Sequence, residues 1–214
     1  MDGEERFYSG TEVAIMRAVA KLSGKDLLLL LLYAPTDSGE AEGIRGRTRL
    51  VKMVFLFWKE LYDDFRFDRE IDRRKLPRFY AWYYGPFSRD VYADIDFFVH
   101  IGFIQTKQCS GVEALREEAE EYLFWESEMD IAEAVPSVSE YSEEVIELTE
   151  RGVGYVRDAR LWSRLSSRQQ RALSGFRCRL AHAPLFAILK YVYEKYPEMT
   201  RSSVIKDEVA GYRY

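Results

Sequence analysis

Six consecutive leucines, Leu27–Leu32, followed by Tyr33, Ala34 and Pro35, constrain this chain more than any other feature. A helix over Leu27–Ala34 is apolar on every side, and such a helix has to be buried. The run is far shorter than the roughly 20 residues a membrane span requires. Leu27–Ala34 is therefore read as the centre of a core. The 214 residues are enough to build one around it, with 47% apolar and 31% charged side chains. Two cysteines exclude a disulfide framework and fit a reducing compartment. The acidic start (Asp2, Glu4, Glu5) lacks the layout of a signal peptide. The expectation is a cytoplasmic protein with no membrane contact.

Periodicity places further helices around this centre. Thr11 is suited to cap a helix to about Leu22, and Ser23-Gly24 breaks the chain before Asp26 favours the next start. Thr36–Gly43 reads as a loop. Gly46 opens a helix from Arg47 to about Tyr62, with Leu50, Val54, Phe57, Trp58 and Leu61 on its core face. A charged connector, Asp63–Arg78, leads to the aromatic strand Phe79–Tyr84 and a sharp turn at Gly85-Pro86. Ser88 caps a helix to about Ile101 that buries Val91, Ile95, Phe98 and Val99 and turns Arg89, Ala93, Asp96, Phe97 and His100 outward. Residues 103–107 and 144–148 read as strands, and Thr149 caps the next helix. Pro184 opens and Pro197 stops a helix over Leu185–Tyr196, and a last short helix is expected over Val204–Val209.

Charge is segregated along this order. Residues 1–108 are balanced, residues 109–150 carry 14 acids against Arg116, and residues 151–214 carry 13 bases against 5 acids. The acidic block either neutralises the basic tail within the molecule or leaves local fields for an anionic partner.

Three helices followed by a two-stranded hairpin is the order of a winged helix-turn-helix domain. The segments Ile44–Lys52 with Phe55-Leu56, Tyr84–Ser88 and Leu148–Gly152 together resemble the SocA/Panacea-like and YwgA-like proteins of bacteria and archaea. That resemblance spans roughly residues 26 to 152. It implies a winged-helix-like fold, and for some members a role as antitoxin or proteolysis adaptor. The expected architecture is α+β and mainly helical. A winged-helix domain covers residues 1–152, with an acidic insertion at about 109–143 in the wing, and a C-terminal helical extension covers 153–214.

Candidate sites follow from charge and aromatic placement. Arg45, Arg47, Arg49 and Lys52 cluster at a helix start, where they either contact phosphate or form a solvated, salt-bridged end. Arg89 and His100 lie where a DNA reader places base contacts, yet Asp90, Asp94 and Asp96 share that helix and oppose phosphate. Arg157, Arg160, Arg164, Arg168 and Arg171 form one stripe if their helix is continuous, and contact with five phosphates would give a log–log salt slope of roughly −4.5. Glu117, Glu118, Glu120 and Glu121 are the competing occupants of that stripe. Tyr80, Trp82 and Tyr84 point one way along their strand, as a row buried between layers or as a protein-docking surface.

His100 and His182 lack metal-ligand spacing, Gly152-Val153-Gly154 lacks a Rossmann turn, and Cys109 and Cys178 read as inert thiols. No metal, cofactor or catalytic residue is expected. The leading expectation is a non-enzymatic regulator, dimeric and bound to double-stranded DNA. The alternative is a protein-interaction module of the antitoxin-like adaptor kind, without direct DNA binding.

Overall fold

The leucine run folds as α1 (Gly24–Tyr33), and all six leucines are buried. The computed structural model that shows this describes residues 20–36, 42–110, 142–206 and 209. Helix α1 begins earlier than the Ser23-Gly24 break suggests, because Ser23 and Asp26 cap it reciprocally. The Ser23 amide donates to the Asp26 carboxylate at 2.7 Å and the Asp26 amide to the Ser23 hydroxyl at 3.4 Å. The helix expected over Thr11–Leu22 falls almost wholly outside the described residues, as do residues 111–141 of the acidic insertion and Asp207 and Glu208 of the last expected helix.

A short strand β1 (Ile44–Arg45) leads through Gly46 into α2 (Arg47–Leu56), which widens into a π-helical turn at Phe57–Leu61. Expectation gave α2 one core face, but every residue from Thr48 to Phe57 is buried. The reason is that α2 is packed from several sides at once, by β1, a hairpin and later helices. Two 3₁₀ turns, Phe67–Arg69 and Arg73–Lys75, then carry the connector to β2 (Tyr80–Trp82) and β3 (Gly85–Phe87). These pair antiparallel with Trp82 opposite Gly85. The chain therefore reverses at Tyr83-Tyr84, and Gly85-Pro86 belong to the return strand rather than to the turn. Gly85 has φ +85°, and a Cβ there would stand 3.0 Å from the Tyr193 ring.

Ser88 caps α3 (Arg89–His100), its hydroxyl accepting from the Val91 amide. Next come β4 (Ile104–Ser110) and β5 (Ser142–Leu148), paired from Ile104 opposite Leu148 to Ser110 opposite Ser142. Strand β1 adds to the other side of β5, giving the antiparallel order β1–β5–β4. Thr149 caps α4 (Glu150–Asp158), so Gly152-Val153-Gly154 is the start of a helix. The tail continues as α5 (Ser167–His182) and α6 (Leu185–Lys195). Helices α5 and α6 pack on α2, and α4 and α5 on α1. Their Val156, Leu173, Phe176, Ile188 and Val192 join the leucines in one continuous core. The fold is α+β and mainly helical, with a three-stranded sheet and a separate hairpin.

Candidate interaction face

Helix α3 presents two chemically distinct sides. Val91, Ile95 and Phe98 are buried, while Arg89, Ala93, Asp96, Phe97 and His100 are exposed, as their spacing predicts. Val99 departs from expectation: it is 37% exposed rather than part of the core. Phe97, at 44%, is the more exposed of the two.

The three aspartates of α3 are each answered by a base from a different segment. Asp90 accepts from the Arg78 amide at 2.9 Å, with the Arg78 side chain 3.8 Å away. Asp94 pairs with Lys25 at 3.3 Å. Burial pushes the Asp94 carboxyl above the usual range, and Lys25 offsets this only in part. Asp96 accepts from Arg47 at 2.6 Å, and Arg47 also donates through Nε to Glu144 at 3.0 Å. Burial pulls the Arg47 pKa down, but Glu144 and Asp96 together outweigh it and hold it above its ordinary value. The acidic character that the sequence gives α3 is thus largely cancelled in place.

The basic quartet at the start of α2 is spent in the same way. Arg47 is the ion-pair centre just described. Arg49 is buried and donates to three carbonyls, those of Arg45 (3.1 Å), Leu180 (2.9 Å) and Ala183. Lys52 is buried and donates to the Pro86 carbonyl at 3.2 Å. Arg45 alone of the four is exposed. Arg49 and Lys52 thus tie α2 to the end of α5 and to the hairpin, and their buried charges do not face solvent.

The arginine stripe dissolves because the helix is interrupted. Helix α4 ends at Asp158, Arg160 takes a left-handed φ of +53°, a 3₁₀ turn spans Trp162–Arg164, and Ser166 caps a new helix. Arg157 on α4, Arg160 in the connection, and Arg168 and Arg171 together on α5 are exposed, so the five do not share one helix face. Arg164 donates to the Ala20 carbonyl at 2.6 Å, and Arg168 lies over the Phe65 ring. The glutamates proposed to dock on the stripe lie outside the described residues. In the hairpin, Tyr80 is exposed, Trp82 half-buried and Tyr84 buried, so the three do not form a uniform surface row.

A chain of ring contacts that the sequence reading missed runs from the exposed Phe97 through the buried Phe98 and half-buried Phe103 to the exposed Tyr155. Phe97 contacts Phe98 (centroids 5.4 Å apart), Phe98 stacks on Phe103 (6.1 Å), and Phe103 meets the exposed Tyr155 (4.8 Å). Lys25 sits 4.2 Å from the Phe97 ring centre and Arg151 lies 5.3 Å from that of Phe103. Those rings come from α3, the residue before β4, and α4, so no single periodicity displays them together. Among the described residues no group of His, Cys, Asp and Glu is placed to hold a metal ion, and no helix is long and apolar enough to cross a membrane. No family model, curated protein or solved structure matches the chain.

Proposed function

We propose that this chain is a non-enzymatic winged-helix-type module that works by docking a protein segment rather than by reading DNA. The order α1–β1–α2–β2–β3–α3–β4–β5, with sheet order β1–β5–β4, supports the winged-helix part of the reading, in which α3 would take the place of the recognition helix after an inserted hairpin. The observation that carries the functional part is the surface of α3. Its carboxylates are neutralised from within the chain, and Phe97 is 44% exposed at the end of a chain of ring contacts. Arg89 and His100 are exposed at the two ends of α3, and the exposed Arg151 lies over the Phe103 ring. A face of this kind suits an acidic segment bearing an apolar anchor, because desolvated aromatic contacts supply affinity and the rim charges supply orientation. An adaptor or antitoxin role, as the resemblance implies, is of this type.

The exposed Arg89, Arg157, Arg160, Arg168 and Arg171 favour a second reading, in which the chain binds duplex DNA. A photo-crosslinking residue in place of Phe97 tests both, with one in place of Arg171 as control. A discrete protein adduct from position 97 and none from 171 is the expected result. An adduct of twice the chain mass would identify the partner as a second copy. Tight binding of a random duplex, falling steeply with salt by anisotropy, would overturn the docking reading in favour of DNA.

A further inference from the structure

Cys178 and His182 stand one turn apart at the C-terminal end of α5, and Glu42 reaches them from the segment before β1. The Cys178 side chain is half-buried, while His182 and Glu42 are exposed, so the group opens to solvent. His182 Nδ1 lies 2.8 Å from the Cys178 carbonyl oxygen and 4.0 Å from its Sγ, and Nε2 lies 3.2 Å from the Glu42 carboxylate. The fully buried Arg177 holds Glu42 within reach, because its Nη2 donates to the Glu42 carbonyl.

Both nitrogens of the His182 ring therefore face acceptors. A carbonyl and a carboxylate only accept, so hydrogens on Nδ1 and Nε2 together satisfy the two contacts, and a ring with both is positive. The nucleophile of a cysteine is its thiolate, and a cation beside the sulfur favours that form. Arg177 adds a second positive charge: burial lowers its pKa, and Glu42 and then Cys178 oppose the fall. Glu42 is negative, but it meets the ring at Nε2, the nitrogen away from the sulfur. The carbonyl end of α5 works against a thiolate, yet Arg49 donates to the Leu180 and Ala183 carbonyls there. Arg179, also on this turn, is exposed and positive.

We propose that Cys178 is a reactive thiol, primed by His182 and Glu42 for exchange with a low-molecular-weight disulfide. The thiol proton passes to His182 Nδ1, and Sγ attacks one sulfur of the disulfide. The new Sγ–S bond forms as the old S–S bond breaks. The leaving thiolate departs with that electron pair and takes the proton from Nδ1. Cys178 is oxidised to a mixed disulfide, and the leaving sulfur is reduced. The step is stoichiometric and independent of the docking face on α3, and either can fail without the other.

Reaction of the full chain with the neutral chromogenic disulfide dithiodipyridine tests this at about pH 6.5, where an ordinary cysteine is about 1% thiolate. Cys178 is expected to react roughly tenfold faster than N-acetylcysteine, in a phase that Cys178→Ser removes and Cys109→Ser leaves in place. His182→Gln, which carries no charge, is expected to bring the rate to within about twofold of N-acetylcysteine. Its rate is also expected to fall by about tenfold per pH unit below neutrality, where the parent's falls less steeply. Glu42→Gln keeps an acceptor for Nε2 without the charge and is expected to slow the phase by about two- to threefold. A Cys178 rate no greater than that of N-acetylcysteine, or an unchanged rate in His182→Gln, overturns the proposal. If His182→Gln does not fold, an unchanged rate in Glu42→Gln overturns it instead.

Discussion

Arg49 Nη1 donates to the Leu180 carbonyl at 2.9 Å across 131 residues of chain, and the same nitrogen reaches the Ala183 carbonyl at the end of α5. The last carbonyls of a helix have no intrahelical donor, so a side chain from α2 supplies what the helix itself cannot. This one contact fixes how the basic tail sits on the central helix.

Arg49→Met keeps much of the volume and removes those donors. It is expected to cost roughly 2–4 kcal/mol, since charge-assisted hydrogen bonds contribute about 1.5–3 kcal/mol each and buried carbonyls are left unpaired. Arg49→Lys should fall between Met and the parent. Urea unfolding reads the difference, and a loss below about 0.5 kcal/mol would show that the tail is held by apolar packing alone.

Arg47 links α3 to β5, and its two pairs differ in burial. Asp96 is largely exposed while Glu144 is mostly covered. Double-mutant cycles are expected to give Arg47–Asp96 a coupling of about 0.2–1 kcal/mol, as for exposed pairs, and Arg47–Glu144 a larger one. Equal couplings would mean that solvent screens both alike.

Glu60, on the π-helical turn, accepts hydrogen bonds from Tyr191 (2.7 Å), Lys195 (2.9 Å) and Tyr196 (2.9 Å). Burial pushes its carboxyl up, but the donors Lys195, Tyr191 and Tyr196 outweigh that and hold it below the usual value. A depressed carboxylate contributes stability above its unfolded pKa and loses it as pH falls through the folded one. Glu60→Gln should therefore be less stable than the parent near pH 7. The gap is expected to close from about pH 4.5 downward. A gap constant from pH 7 to 3 would remove Glu60 from the acid response.

Two glycines of α4 should respond oppositely to alanine. At Gly152 an added Cβ would stand 2.1 Å from the Phe103 carbonyl oxygen, where helix and strand backbones meet. At Gly154 it meets nothing within 4 Å. Gly152→Ala is expected to destabilise by about 1–3 kcal/mol or more through overpacking, and Gly154→Ala to stabilise by roughly 0.5–1 kcal/mol through helix propensity. Thermal unfolding of the pair checks this, and a stable Gly152→Ala would mean that α4 shifts freely over β4.

What was legible in the sequence was local. Ser88 and Thr149 are recognisable as caps because a side-chain oxygen three residues before a helical amide is a short-range relationship. The outward face of α3 follows from spacing for the same reason. Lys52 and Arg49 were misleading, because a charged side chain near a helix start looks solvated until the hairpin and α5 are known to close over it. The turn at Tyr83-Tyr84 was hidden by two aromatic residues where a tight reversal ordinarily favours glycine or asparagine. The arginine stripe depended on one helix being continuous, and Ser166 ends that continuity. The ring contacts from Phe97 to Tyr155 and the burial of Arg177 against Glu42 are long-range facts that no window of sequence contains.

The pairing of Ser110 with Ser142 has a consequence for how this protein can vary. The chain between them departs and returns at adjacent ladder positions, so the core specifies where that segment is anchored but not how long it is. Loop closure depends only weakly on length, about 0.6 kcal/mol per doubling. A change in the length or charge of this stretch would therefore be felt at the Ser110–Ser142 end of the ladder before it reached the leucine core.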